Sequence, residues 1–272
     1  MHLSKRAAYP HRDSIPHAMN EITNCIDPEL PSAREYKRRW QEMPCKDVGD
    51  YTELAIRIHR ACSWLHRAQV VAKESGTDAL DDQLIFLWIS FNALYGQWDQ
   101  ETNHPAKDIR SVRDFIVGAT SLDELHGLGA YQALLKEHRE LAERLFDNVY
   151  LDHYFWRGLA EGEEEEEETW HNLPRKGRHY LDEGQTESAL DRLLLYRVYQ
   201  LRCQLVHGGA THGGGLNRES VADCGRFLHL FLDRSFEVLV HPDRAEAFRS
   251  NLGAICYPPI RDGRSPSASR ES

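Results

Sequence analysis

The feature that most constrains the fold is an apolar stretch, Leu84 to Tyr95, which Gly96 follows. It spells LIFLWISFNALY, and a helix with this sequence would be apolar on nearly every side. Asp81 and Asp82 precede it, where the dipole of a helix favours negative charge. Because an all-round apolar helix is stable only when other elements surround it, we expect a central, buried helix here.

Apolar residues at helical spacing recur through most of the chain, whereas the period-two alternation and paired turn dipeptides of β-strands are nearly absent. Further helices are predicted over residues 51–75, 107–117, 130–158, 186–207 and 217–240. The sequence therefore predicts an all-α bundle of about five to seven helices.

Composition divides the chain into three parts. Residues 1–45 are polar and contain five prolines, which predicts an irregular arm with a short helix near residues 33–41. Residues 46–245 are predicted to form the helical domain, and residues 246–272, which contain prolines and several serines, a tail that is disordered toward its end.

The acidity of the chain is concentrated in one place. The net charge is −10, but seven of the acids are Glu161 and Glu163–Glu168, and the rest of the chain carries only −3. Because like charges repel, we expect residues 160–185 to form an exposed, flexible acidic insertion. A non-specific DNA-coating protein would instead be strongly basic, and this class is excluded.

Cysteine usage and hydropathy indicate the compartment. Six scattered cysteines without a C-x-x-C pair predict free thiols in a reducing environment rather than a zinc site. No apolar run approaches the roughly 18 to 20 residues of a membrane span, and the first 20 residues have no apolar signal region. We therefore expect a cytoplasmic protein that has no membrane segment, metal or cofactor.

The most informative segment for function runs from Arg192 to Arg218, which holds four arginines, two histidines and no acidic residue. In an acidic chain, such a segment predicts a locally positive zone able to hold a phosphate. His207 lies at the predicted end of a helix, just before Gly208. The helix dipole there favours a protonated imidazole, which is suited to general acid catalysis near neutral pH.

The same helix has two apolar faces. One is the core stripe, and the other is centred about 110° away and contains Leu195, Tyr199, Arg202 and Val206. A helix on the outside of a monomer needs only one apolar face. The second face indicates either a very central helix or a subunit interface.

Two motifs carry a resemblance to a known family. The segment from Arg202 to His207 has the form R-x4-H followed by glycine, and the segment WISFNALYG at residues 88–96 is similar to a buried helix of one HEPN branch. Over about residues 50–240 the chain resembles HEPN domains, in particular the Apea-like group that is linked to prokaryotic defence. Cys203 departs from the polar residue that often follows the arginine in this family.

The resemblance implies a metal-independent endoribonuclease with one composite site in a homodimer. Arg202 would then bind the scissile phosphate, and His207 would act as general acid or base. The RNA products would carry 2′,3′-cyclic phosphate and 5′-hydroxyl ends. A defence or toxin-like role, with a partner that inhibits or activates the enzyme, is also implied.

Other residues are candidates for substrate binding or support. Asn92 is expected to be a buried amide, which orients the site or is satisfied by nearby backbone. Tyr199 would stack a nucleobase or simply pack. His212 and Arg218 flank a glycine-rich segment, residues 208–215, that is either a flexible connection or a phosphate-binding nest.

Each of these interpretations has a structural alternative. Arg202 would serve equally as an ion-pair partner for an acid on a neighbouring helix, and His207 as a cap that only bonds terminal carbonyls. The competing functions are a non-catalytic HEPN module that binds a nucleotide or partner protein, and an acidic regulatory protein that binds through its Glu run.

Overall fold

The computed structural model describes residues 23–43, 51–161, 164–215, 217–240 and 254–257. Helices dominate these ranges, and the strands named within them form one short antiparallel pair that places Trp98 opposite Pro105. The predicted all-α class is confirmed.

The described helices and strands follow one another in this order: α1 (Ala33–Gln41), α2 (Tyr51–Ser75), α3 (Leu80–Tyr95), β1 (Trp98–Asp99), β2 (His104–Pro105), α4 (Asp108–Leu125), α5 (Ala130–Glu137), α6 (Arg139–Asp147), α7 (His153–Glu161), α8 (Glu164–Asp182), α9 (Thr186–Leu193), α10 (Tyr199–Val206) and α11 (Arg218–Leu239). Short 3-10 turns cover Gly76–Ala79 and Val149–Leu151, and a π-helical turn, Leu194–Val198, joins α9 to α10.

Helix α3 is the central helix, as its apolar sequence predicts. Phe91 is fully buried and makes edge contacts with Phe115 of α4 and Phe231 of α11, with ring centroids 5.6 and 5.4 Å apart. On its other side α3 packs along α2, where the Ser90 hydroxyl donates a hydrogen bond to the Ala61 carbonyl at 2.8 Å. The Trp88 and Tyr95 side chains, which belong to the sequence motif, are buried on this helix.

The predicted arm, residues 1–45, is only partly irregular. The short helix near residues 33–41 is confirmed as α1, whose N-cap Ser32 accepts a hydrogen bond from the Glu35 amide. Cys25, Tyr36 and Trp40 are buried in the same core as the domain. Residues 23–43 therefore belong to the domain that we predicted to start at residue 46, because their apolar side chains pack on α2, α3 and α11. Residues 1–22 lie outside the described part.

The predicted flexible acidic insertion at residues 160–185 is helical for most of its length, because residues 164–182 form helix α8. Leu173 is buried, and Gly177 crosses Phe146 so closely that a Cβ atom at residue 177 would lie 2.4 Å from the ring. Two ion pairs, Arg178 with Asp147 and Arg139 with Asp182, fasten the helix to α6. Apolar packing and these ion pairs outweigh the repulsion among the glutamates.

Two predicted long helices are divided in the structure. The helix expected over residues 130–158 breaks into α5, α6 and α7, and so the number of helical segments exceeds five to seven. The helix expected over residues 186–207 stays continuous but contains the π-helical turn. A π turn inserts an extra residue, and such turns are frequent at functional sites.

The end of the chain meets the domain at one described segment, residues 254–257. The Trp98 amide donates to the Ala254 carbonyl at 2.9 Å, and the Arg60 guanidinium donates to the Cys256 carbonyl at 2.9 Å. Ile255 is buried against these elements. The rest of the predicted tail, residues 246–253 and 258–272, lies outside the described part.

Candidate functional site

The two motif segments meet in the structure, because α10 lies against α3. Tyr199 of α10 packs on Trp88 of α3, with ring centroids 5.6 Å apart. Arg202 lies one turn further along α10 and reaches the same region. We use the term arginine cluster for Trp88, Tyr95, Asp108, Tyr199 and Arg202.

Aromatic rings hold the Arg202 guanidinium. Its Cζ atom lies 5.7 Å from the Trp88 ring centroid and 5.6 Å from that of Tyr199, within the range of a cation–π contact. The side chain keeps 22% of its surface exposed. These rings restrict the side chain, and its Nη2 atom faces Asp108 without a close hydrogen bond.

Polar contacts of Arg202 are few and long. Its Nη2 atom lies 3.9 Å from Oδ2 of Asp108, its Nη1 atom contacts Sγ of Cys203 at 3.9 Å, and its buried Nε has no hydrogen-bond partner. A guanidinium has five N–H donors, so most of this capacity is unused. The buried indole nitrogen of Trp88 also has no hydrogen-bond partner.

Asp108 links the cluster to the first turn of α4. It accepts a hydrogen bond from the Tyr95 hydroxyl at 3.3 Å. Burial, followed by the Asp108 charge, raises the pKa of Tyr95 well above its usual range. Desolvation also raises the pKa of Tyr199. Both phenols therefore stay neutral at physiological pH, and Asp108 is the acid that faces Arg202.

The sequence analysis did not identify one further buried residue, Arg57. Its buried guanidinium donates to the Leu94 carbonyl at 2.8 Å and the Gly96 carbonyl at 2.6 Å, at the C-terminus of α3. Burial lowers the pKa of Arg57 to about 10. The sequence pattern that could have identified Arg57 as buried is its position in the apolar stripe of α2, three residues after Leu54 and four before Ala61.

The other three arginines of the predicted positive zone have closer partners. Arg197, on the π turn, is buried and pairs with Asp152 at 2.7 Å. Arg218 pairs with Asp81 at 2.5 Å. Arg192 stacks on Tyr196 at 4.3 Å. The zone has no acid of its own, but acids from α3 and from the start of α7 neutralise two of its cations.

His207 lies at the C-terminal end of α10 and is exposed. Its amide donates to the Cys203 carbonyl at 3.0 Å, so its backbone caps the helix. Five residues separate it from Arg202, which corresponds to about 7.5 Å along the helix and about 140° around it. Within the described part of one protomer, no hydrogen bond or ion pair joins the two side chains.

The expectation of a buried Asn92 amide is wrong, because Asn92 is exposed. It lies about 40° around α3 from Trp88, at the edge of the face that carries the arginine cluster. The neighbouring residues Ile89 and Ala93 on this strip of α3 are only half-buried by the described part of the chain. An exposed amide needs no partner in the protein, so Asn92 stays a candidate at the rim of the site.

The other two predicted substrate contacts, His212 and Arg218, lie at the opposite end of α3. Arg218 pairs with Asp81, and Nε2 of His212 is 3.9 Å from Oδ1 of Asp82. Because Asp81 also accepts the Gly213 amide at 2.8 Å, a carboxylate of the chain occupies the predicted nest. The glycine-rich segment is thus anchored at this point, about 10 Å along α3 from Trp88.

The second apolar face of α10 is covered only in part. Leu195 is buried and Tyr199 half-buried, but Val206 keeps 53% of its surface exposed. The face is therefore covered near the π turn and open toward His207. The sequence predicted either a very central helix or a subunit interface for this face, and its end near Val206 is exposed.

Three further observations concern chemistry and relationships. The five described cysteines form no disulfide, and within the described ranges no group of three or more His, Cys, Asp or Glu side chains is arranged to hold a metal ion. None of the described helices combines the length and the apolar character that crossing a bilayer requires. No family model, curated protein or solved structure matches this chain.

Proposed function

We propose that this protein is a metal-independent endoribonuclease of HEPN type that acts as a cytoplasmic homodimer. Arg202 binds the scissile phosphate, and His207 transfers a proton to or from the reacting ribose or leaving oxygen. The products carry 2′,3′-cyclic phosphate and 5′-hydroxyl ends. The proposed biological role, prokaryotic defence or a toxin-like activity under the control of a partner, rests on the motif resemblance alone.

The observation that carries the proposal is the long ion pair of Arg202 with Asp108. Of the four arginines between residues 192 and 218, Arg202 is the one that two aromatic rings hold beside a carboxylate at 3.9 Å. This ion pair is longer than a charge-assisted hydrogen bond, and a phosphate would displace it at low cost. A purely structural arginine is expected to have a close ion pair, such as that of Arg197 with Asp152 at 2.7 Å.

The angular separation of Arg202 and His207 supports the proposed dimer. With about 140° between them, one helix directs the two side chains to different sides. Two antiparallel copies of α10 that meet at the open face near Val206 would bring Arg202 of one protomer toward the partner's His207. The exposed Val206 side chain supports this contact, because a subunit interface is where such an apolar surface becomes buried.

The test is cleavage of a single-stranded RNA by the purified full chain in EDTA. We expect Arg202→Ala and His207→Ala each to reduce the rate by at least about 100-fold, because a lost oxyanion donor or proton-transfer group has effects of this size. Arg192→Ala is the matched control, since Arg192 also stacks on a tyrosine, Tyr196 of the π turn. His126→Ala removes a helix-capping histidine from α4 and should leave cleavage unchanged.

The outcomes separate the competing functions. Cleavage that needs a metal, or full activity in the double variant, contradicts the mechanism. RNA or nucleotide binding without scission in the wild-type protein indicates the non-catalytic module instead. A strictly monomeric active protein in sedimentation contradicts the composite site. Melting temperatures near the wild-type value in both variants exclude unfolding as the cause of lost activity.

A further inference from the structure

A group of exposed aromatic rings lies beside the candidate site. Tyr150 and Trp156 keep 43% and 40% of their surfaces exposed, their ring centroids are 6.4 Å apart, and half-buried Phe155 meets both rings edge-on. The ring centroid of Phe155 is 5.5 Å from that of Tyr150 and 5.3 Å from that of Trp156. We use the term aromatic platform for these three residues.

The platform is fixed to α10 by shared hydrogen bonds. The Tyr150 carbonyl accepts from Nε1 of Trp156 at 2.8 Å and from Nε2 of Gln204 at 2.9 Å. Behind it, the buried Arg197–Asp152 ion pair holds the start of α7, where Asp152 also accepts the Tyr154 amide at 2.8 Å. Because these bonds restrict the rings before any ligand arrives, a ligand that stacks on them loses little binding energy to ordering.

The anchor places the platform next to His207. Gln204 precedes His207 by three residues, so the two side chains share one side of α10 and are about 4.5 Å apart along its axis. Successive nucleotides of a stacked strand are spaced by about 3.4 Å. A phosphate at His207 would therefore have neighbouring nucleobases within reach of the platform.

The platform segment presents no exposed acid to a nucleic acid. Between residues 148 and 160 the one acid, Asp152, is buried in its ion pair, and His153 is an exposed basic side chain. The Glu run begins at residue 161, at the far end of α7. It would repel a phosphate backbone and would therefore confine the strand to the platform and α10.

We propose that the aromatic platform stacks the nucleobases of single-stranded RNA next to the phosphate at which His207 acts, an inference that rests on the proposed function. Every base has an aromatic face, so such stacking selects unpaired strands and tolerates any sequence. Bases in a duplex already stack on each other and cannot reach the rings. The substrate class is therefore unpaired RNA with little base preference at this position.

The test measures binding rather than cleavage, with a fluorescently labelled single-stranded RNA whose 2′-hydroxyls are methylated. This probe lacks the attacking hydroxyl and stays intact during anisotropy titrations. We expect Trp156→Ala to weaken binding about tenfold, the size typical of one lost base–aromatic stack, and Trp156→Phe to weaken it less than about threefold. A duplex of the same sequence should bind equally weakly to the wild-type protein and to Trp156→Ala.

Trp64→Ala is the matched control. Trp64 is 38% exposed and stacks on Phe86 at 5.8 Å, but it lies on α2. Equal losses in Trp64→Ala and Trp156→Ala, or none in Trp156→Ala, would overturn the platform. A strand with abasic positions should bind the wild-type protein as weakly as the intact strand binds Trp156→Ala, and an abasic strand that binds the wild-type protein like the intact one also overturns it.

The outcome of this binding experiment is independent of the outcome of the cleavage test. Binding that depends on Trp156, with no cleavage of unmodified RNA, supports the platform and contradicts the proposed endoribonuclease activity. Cleavage that depends on Arg202 and His207, with RNA binding that does not change in Trp156→Ala, supports the proposed enzyme and contradicts the platform. Displacement of RNA by a peptide that binds with equal strength to Trp156→Ala would also count against nucleobase stacking.

Discussion

An arginine lies near each end of helix α3, and the two arginines differ in their ion pairs. At the N-terminal end, Arg218 and Asp81 form a 2.5 Å ion pair with 14% and 8% of their side chains exposed, and Asp81 also binds the Gly213 amide. Toward the C-terminal end, Arg202 lies 3.9 Å from Asp108, with 22% and 32% exposed, and its Nε is unpaired. The first end holds its cation in a close ion pair and leaves only Nη1 of Arg218 without a hydrogen-bond partner, whereas the second holds a cation by ring contacts.

This difference separates stability from function. An arginine in a close, buried ion pair stabilises the fold, and removing its partner leaves an uncompensated charge. An arginine held by aromatic faces keeps donors for a ligand, because a cation–π contact uses the face of the guanidinium and not its N–H groups. We therefore assign structural support to the N-terminal end of α3 and ligand binding to the region around Trp88 and Tyr95.

The largest expected effect is on stability at the N-terminal end. Asp81→Asn should lower the free energy of unfolding by about 3 kcal/mol, because it leaves Arg218 without its carboxylate in a mostly buried position. Asp108→Asn should lower it by less than about 1 kcal/mol, as for a partly exposed ion pair. Urea unfolding followed by circular dichroism measures both values.

Equal losses in these two variants would break the comparison, since they would mean that both arginines are structural. A double change, Asp81→Asn with Arg218→Met, gives an internal control. It removes both charges of the pair, and we expect it to recover part of the stability lost in Asp81→Asn, because no uncompensated cation stays behind.

A smaller effect concerns pH at the C-terminal end. Because burial and Asp108 raise the pKa of Tyr95, the folded state favours its neutral phenol. This contribution to stability is fully present below the ordinary tyrosine pKa of about 10 and is lost as pH rises above it, by about 1.4 kcal/mol per pH unit. Tyr95→Phe should therefore reduce the alkaline loss of stability, measured by urea unfolding from pH 9 to about 11.

Asp81→Asn should leave this alkaline slope unchanged, since the pair at the other end of α3 does not contact Tyr95. Tyr36 and Tyr131 are also buried with raised pKa values, so part of the slope persists in every variant. A Tyr95→Phe slope identical to that of the wild-type protein would show that the phenol is not buried as described.

The sequence predicted the elements that depend on local pattern. The apolar stretch gave a buried α3, and the two apolar faces of the arginine-bearing helix located the partly open face near Val206. The sequence could not locate the acids that neutralise Arg197 and Arg218, because Asp152 is 45 residues from Arg197 and Asp81 is 137 residues from Arg218 in the chain. A count of charges along one segment cannot detect such long-range ion pairs.

The errors have the same origin. Asn92 was expected to be buried because its sequence neighbours are apolar, but its side chain is exposed in the structure. The Glu-rich segment was expected to be a flexible insertion because of its charges, but Leu173 and Gly177 dock it on the domain as a helix. In both cases the outcome depends on which distant element lies opposite, and local propensity does not contain this information.

The most direct test of the central claim observes the Arg202 guanidinium itself. In a protein with 15N-labelled arginine side chains, addition of the 2′-methylated single-stranded RNA should shift the Nη–H signals of Arg202, assigned through Arg202→Lys, as the phosphate takes the place of Asp108 beside Nη2. The corresponding signals of Arg197 and Arg218 should stay in place. An unchanged Arg202 signal at saturating RNA, or a shift confined to Arg218, would contradict the account.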